Sequence, residues 1–113
     1  MWTVRLPNAD EAVVADEKIA RYLLSPAHPT GRHKATFFRR FGFTADRPEE
    51  FMAALREHAR QNEVARSDDT PFGTRYTAEG PLRAPDGRDP WVQTVWFVER
   101  GARLPRLVTA YPC

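Results

Sequence analysis

The chain has 113 residues and a net charge of +2, from 17 basic and 15 acidic side chains, a length that supports one modest core and a single domain over residues 1–113. Hydrophobic residues at 42% and charged residues at 28% exclude a disordered chain, and no apolar run approaches the roughly 20 residues of a membrane span. The lone Cys113 excludes an intrachain disulfide framework and a cysteine-based zinc site, and the opening Met1-Trp2-Thr3-Val4-Arg5-Leu6-Pro7 lacks the apolar core of a signal peptide, so a cytoplasmic location without membrane contact is expected.

In chain order, Val13-Val14 is a short edge-strand candidate, and Asp16 is placed to cap a helix over 16–24 with Ile19, Ala20, Leu23 and Leu24 at helical spacing. Ser25-Pro26 ends it, since proline disfavours helix in the residue before it. Thr30 is placed to cap a second helix to about residue 41, with Gly42 as its stop. Asp46-Arg47-Pro48-Glu49 has the form of a capping box and opens a third helix to about residue 62. That helix is expected to bury Phe51, Met52 and Leu55 and to turn Glu50, Arg56, Glu57 and Arg60 to solvent; His58, between Glu57 and Arg60, reads as a surface residue.

Ser67-Asp68-Asp69-Thr70-Pro71 reads as a polar hinge, after which the period changes. A strand is expected around 74–78, a turn at Ala84-Pro85-Asp86-Gly87-Arg88-Asp89, a strand over 91–99, a turn at Arg100-Gly101-Ala102 and a last strand over 106–111. Short turns between strands imply an antiparallel meander. The expected fold is α+β, with N-terminal helices packed on one face of a small antiparallel β-sheet.

Charge is segregated along the chain. Between Lys18 and Ala45 stand Lys18, Arg21, Arg32, Lys34, Arg39 and Arg40 with no acid; from Arg100 to Cys113 stand Arg100, Arg103 and Arg106, again with none. Such segregation can give a nearly neutral protein a positive face suited to a polyanion, although small domains also acquire uneven charge by chance.

The run His28-Pro29-Thr30-Gly31-Arg32-His33-Lys34-Ala35-Thr36-Phe37-Phe38 with Gly42-Phe43, together with Leu6-Pro7-Asn8-Ala9, Tyr22-Leu23-Leu24, Val95-Trp96 and the closing Leu107-Val108-Thr109-Ala110-Tyr111-Pro112, resembles a small bacterial domain family of unknown function across nearly the whole chain. Helices followed by a meander that ends in Val-Thr-Ala-Tyr-Pro are also similar to the barnase/colicin/RelE-like ribonucleases. That resemblance implies a toxin-like RNA endonuclease, some of whose relatives pair with an antitoxin or immunity protein.

The residues themselves carry a compatible chemistry. His33 and Phe37 are four apart, as are Lys34 and Phe38, so a helix with phenylalanines in the core brings His33 and Lys34 to its rim. A helix N-terminus favours phosphate, and its partial positive charge helps imidazole remain a base near neutral pH. Metal-independent RNA cleavage needs a base for the 2′-OH, an acid for the leaving oxygen and donors for the phosphate. His33 suits the first task, and Lys34 with Arg32 the third. Thr109 and Tyr111, two apart on one strand, can bond a phosphate oxygen and stack a base or act as a weak acid. His28 is an alternative proton donor, while Arg75 and Trp96 can add charge and a stacking surface. No metal or other cofactor is implied.

Each residue also has a structural reading: His33 and Lys34 as helix-surface residues, Thr109 as an ordinary strand residue, Tyr111 and Trp96 as core, His28 as part of a turn. Three functions therefore stand side by side. They are an endoribonuclease acting on RNA such as tRNA or mRNA, a non-catalytic RNA- or protein-binding module, and an antitoxin or immunity partner.

Overall fold

The computed structural model describes residues 4–15 and 32–112, with the backbone alone at 32–34. A 3-10 turn (Ala9–Glu11) leads the described elements; helices α1 (Arg32–Arg40) and α2 (Pro48–Gln61) follow. Four strands complete the chain: β1 (Val64–Thr70), β2 (Gly73–Pro81), β3 (Trp91–Glu99) and β4 (Arg106–Pro112). Their spatial order is β1-β2-β3-β4, every pair antiparallel. This is the expected α+β arrangement, with the helices on one face of the meander. The helix expected over 16–24 and the cap expected at Thr30 lie outside the described residues. No helix among the described residues is long and apolar enough to cross a membrane.

Helix α1 ends where Gly42 adopts φ 103°, a conformation that costs glycine little. The Gly42 N–H donates to Arg39 O at 3.0 Å and the Phe43 N–H to Phe38 O at 3.3 Å, the paired bonds of a Schellman cap. The apolar contact that completes this motif is Phe43 edge-on to Phe38, ring centroids 6.4 Å apart. Both rings meet Phe51 of α2, at 4.8 Å from Phe38 and 4.6 Å from Phe43. The loop between β2 and β3 locks this end of α1. Arg88 lies 4.5 Å over the Phe41 ring and donates to Arg40 O at 3.1 Å, while Asp86 pairs with it at 2.6 Å.

The capping box expected at the start of α2 does not form. Arg47 occupies the capping position without a side-chain bond, and Asp46 is instead hydrogen-bonded by the Thr44 side chain, which holds its carboxyl below the usual range. Pro48 at the first turn and the acidic Glu49 and Glu50 open the helix without a side-chain cap. Its inward stripe is Phe51, Leu55, His58 and Ala59, all buried. Met52 is half-buried against the same core. His58 is therefore a core residue, not the surface residue its sequence neighbours suggested: it falls seven positions after Phe51 and three after Leu55, on the apolar stripe. Arg56, expected in solvent, is half-buried and donates to Ala12 O at 2.8 Å.

The segment expected as a polar hinge is strand β1. Ser67 pairs with Tyr76, Asp68 with Arg75 and Asp69 with Thr74. An edge strand with water on one side is held by its backbone ladder and needs no apolar alternation. Its turn instead lies at Pro71 and Phe72, where the Phe72 ring is 77% exposed. A register shift at Ala65 breaks the pairing between Val64 and Arg66. Beyond the bond from Val64 N–H to Val4 O at 2.8 Å, no described residue pairs with the outer edge of β1. At the other edge Val13 makes the expected contact as an isolated parallel bridge to Arg106 in β4.

Candidate functional site

The two faces of the sheet differ in kind. Tyr76, Ala78 and Gly80 of β2, Val92, Thr94 and Trp96 of β3, and Leu107 and Ala110 of β4 turn toward the helices, and all but Tyr76 are buried. The register places the alternate residues together on the second face. Arg75, Phe97 and Arg106 form one row across β2, β3 and β4; Thr77, Val95 and Thr109 form the next; Glu79, Gln93 and Tyr111 form the third. The register shift after Val95 leaves Val108 as an extra residue, so Thr109 and Arg106 share a face although they are three apart.

Three of the sequence-predicted residues, Arg75, Thr109 and Tyr111, thus meet on one face. Arg75 is exposed, Thr109 and Tyr111 are half-buried, and Val95 at the centre is buried. Trp96 is not with them. It is 0% exposed in the helix-side core, and its Nε1–H donates to Thr94 Oγ1 at 2.9 Å, so its ring offers no stacking surface. Arg32, His33 and Lys34 form the first turn of α1, with their side chains outside the description, and His28 lies outside the described residues. Helix α1 packs beside β4 with Ala35 and Phe38 buried. It therefore adjoins the strand that carries Thr109 and Tyr111, on the helix side of the sheet, and the edge of β4 lies between.

Charge is uneven along the second face. Among the described residues the Arg75 side chain makes no ion pair or hydrogen bond. Arg106 Nη2 lies 2.8 Å from Glu99 Oε1, both side chains largely exposed, a pairing worth at most about 1 kcal/mol and readily exchanged. A cavity of about 330 Å³ opens at this end, lined by Arg75, Phe97, Arg106 and Val108 with Val13 and Ala15 as its wall. A larger cavity of about 420 Å³ lies on the helix side, where Phe43, Ala53 and Ala54 are apolar and Glu50 and Glu57 face the single Arg83. Its excess of carboxylates does not suit a phosphate.

Sequence reasoning missed a polar network on the helix side. His58 Nε2 lies 3.1 Å from both Gly80 O and Val92 O, and its Nδ1 lies 3.0 Å from Thr94 Oγ1. Two carbonyls can only accept, so Nε2 carries the proton. Thr94 accepts from the Trp96 indole and has its own hydroxyl hydrogen for His58 Nδ1. Every polar group is satisfied by a neutral ring, and burial lowers the imidazole pKa below its usual 6.5, despite opposing bonds to Gly80 and Val92. This network is buried and touches no cavity described above. Its signal was the position of His58 on the apolar stripe of α2.

The fold is similar to that of a chain in a contact-dependent growth inhibition toxin–immunity protein complex from Klebsiella pneumoniae 342, with a TM-score of 0.69 at 19% identity over 90% of this chain and 100% of that one. At that identity the likeness concerns the fold. The family is then fixed by sequence: the chain belongs to the domain of unknown function DUF6883, whose model matches residues 5–113. No curated protein matches.

Proposed function

We propose that the domain, acting as one unit over residues 1–113 in the cytoplasm, is a metal-independent endoribonuclease of the bacterial toxin type, held in check by a cognate immunity protein or antitoxin. The observation that carries this reading is the placement of Arg75, Thr109 and Tyr111 on one sheet face, opposite the face against which α1 and α2 pack. The fold likeness to a chain of a toxin–immunity complex supports the toxin setting.

In this reading the 2′-oxygen attacks phosphorus and the bond from phosphorus to the 5′-oxygen breaks. His33 takes the 2′-OH proton from across the edge of β4, and Tyr111 or His28 returns one to the leaving oxygen. Lys34, Arg32 and Thr109 hold the oxygens of the reacting phosphate, and Arg75 binds the RNA strand beside it. The products are a 2′,3′-cyclic phosphate and a 5′-hydroxyl.

The test is cleavage of total tRNA or an mRNA transcript by purified protein in EDTA, with end-group analysis. His33→Ala and Thr109→Val are each expected to slow cleavage by about 100-fold or more, the ordinary worth of a proton-transfer or charge-stabilising group. Full activity in the double variant overturns the residue assignment. Salt-sensitive RNA binding without turnover selects the non-catalytic module, and rescue of cells from a toxic neighbouring gene product selects the immunity partner.

A further inference from the structure

We propose that the cavity at the Arg75 end of the second sheet face is a nucleotide subsite for single-stranded RNA, in which Arg75 and Arg106 grip a backbone phosphate and Phe97 stacks a base. It rests on the RNA reading above and names where the strand is anchored beside the Thr109–Tyr111 rows.

Phe97 of β3 pairs with Arg75 of β2 on one side and with Arg106 of β4 on the other. At the ~4.8 Å spacing of paired strands the two arginine backbones stand about 10 Å apart, a span two guanidinium groups can close around one phosphate. Arginine suits this role because its planar fork binds two phosphate oxygens at once. Phe97, half-buried, stands between the two arginine positions in the register. A base on that ring and a phosphate between the arginines are adjoining parts of one nucleotide chain. An acidic peptide offers the charge without the ring.

The wall of the cavity is set by the N-terminal segment. Val13 N–H donates to Pro105 O at 2.8 Å, and the Leu107 N–H donates to Val13 O at 2.9 Å. Ala12 and Val14 turn into the core, leaving Val13 and Ala15 to flank the opening. The volume of about 330 Å³ is at the lower end of the ~300–1,000 Å³ range of small-ligand sites, suited to one nucleotide unit. Glu99, the partner of Arg106, is 55% exposed and can move to water when phosphate arrives.

The experiment uses a fluorescent single-stranded oligoribonucleotide with 2′-O-methyl ribose throughout, which lacks the attacking 2′-OH and reports binding alone. Anisotropy is followed over a range of NaCl concentrations. Wild-type protein should bind with a negative dependence of log affinity on log salt. Arg75→Ala and Arg106→Ala should each flatten that slope by about 0.7, the single-strand value for one phosphate contact. Phe97→Leu should weaken binding about tenfold, in line with one lost stacking contact, with the slope unchanged. Arg75 is exposed, so its variant tests the site even where Phe97→Leu fails to fold.

Unchanged affinity and slope in the double arginine variant overturn the subsite, and cleavage by that variant leaves the nuclease reading standing. Loss of binding in the same variant, with no RNA cleavage by wild type, supports the subsite and removes the nuclease reading. No binding by wild type overturns the subsite outright. Equal affinity for polyglutamate, abolished by the same substitutions, overturns the nucleotide assignment in favour of an acidic protein partner.

Discussion

His58 is neutral because its surroundings leave no place for a second proton. Protonated Nδ1 would have to donate to Thr94 Oγ1, which already accepts from Trp96, and the threonine hydroxyl would then lose its acceptor. Burial lowers the folded-state pKa below 6.5, so below that pH the unfolded chain binds more protons than the folded one. The stability His58 contributes is present above about pH 6.5 and is lost as pH falls through the depressed folded value, by up to about 1.4 kcal/mol for each pH unit between the two. Urea unfolding at pH 7.5 and 5.0 should show wild type losing more stability on acidification than His58→Gln, which cannot titrate. The variant itself should start about 1–3 kcal/mol lower, since a shorter amide reaches the Gly80 and Val92 carbonyls poorly. An equal acid loss in both proteins would remove His58 as the sensitive group. At this scale the sequence was misleading where neighbours in the chain were weighed above neighbours on the helix: Glu57 and Arg60 flank His58, yet Leu55 and Phe51 share its face.

Among the elements, helix ends were the most legible where backbone conformation demanded a particular residue. Gly42 marks the end of α1 because its φ of 103° disfavours any side chain, and a Cβ there would approach Pro85 to 3.2 Å. Gly42→Ala should lower stability by about 1 kcal/mol. Gly80→Ala should cost more, because its Cβ would overlap the Asn62 side chain, which caps α2 by donating to His58 O at 2.9 Å. Thermal unfolding of the two variants checks the order. Start signals were less reliable. Asp46 and Glu49 match a capping pattern, but the chain turns one residue later and Asp46 is engaged by Thr44 instead. Strand β1 escaped notice for a different reason: Arg66, Ser67, Asp68 and Asp69 carry no apolar alternation, and only the pairing to β2 makes them a strand.

For the molecule as a whole, the two faces of the sheet differ in what they carry: core residues toward the helices, and Arg75, Arg106, Thr109 and Tyr111 on the other. Leu55, at 0% exposure, belongs to the helix-side core, and Leu55→Ala should cost about 2–5 kcal/mol in urea unfolding while the proposed RNA binding, per folded molecule, stays as in wild type. A loss of binding at full folding would show that the two faces are coupled. The sequence placed Thr109 and Tyr111 together through simple alternation. It could not place Arg106 with them, because strict alternation sends residues 106 and 109 to opposite faces and only the extra Val108 reverses this. Nor could it separate Trp96 from the proposed site: an aromatic residue in a strand reads the same on either face until the register is known.

The outer edge of β1 also bears on how copies of this chain meet one another. An unpaired strand edge is a template on which another chain can continue the ladder. Here an approaching strand would have to run beside Arg66, Asp68 and Asp69, and it would meet a kink at Ala65 where the repeat of donors and acceptors loses step. Charge of both signs and a broken rhythm make this border a poor seed for stacking copies edge to edge.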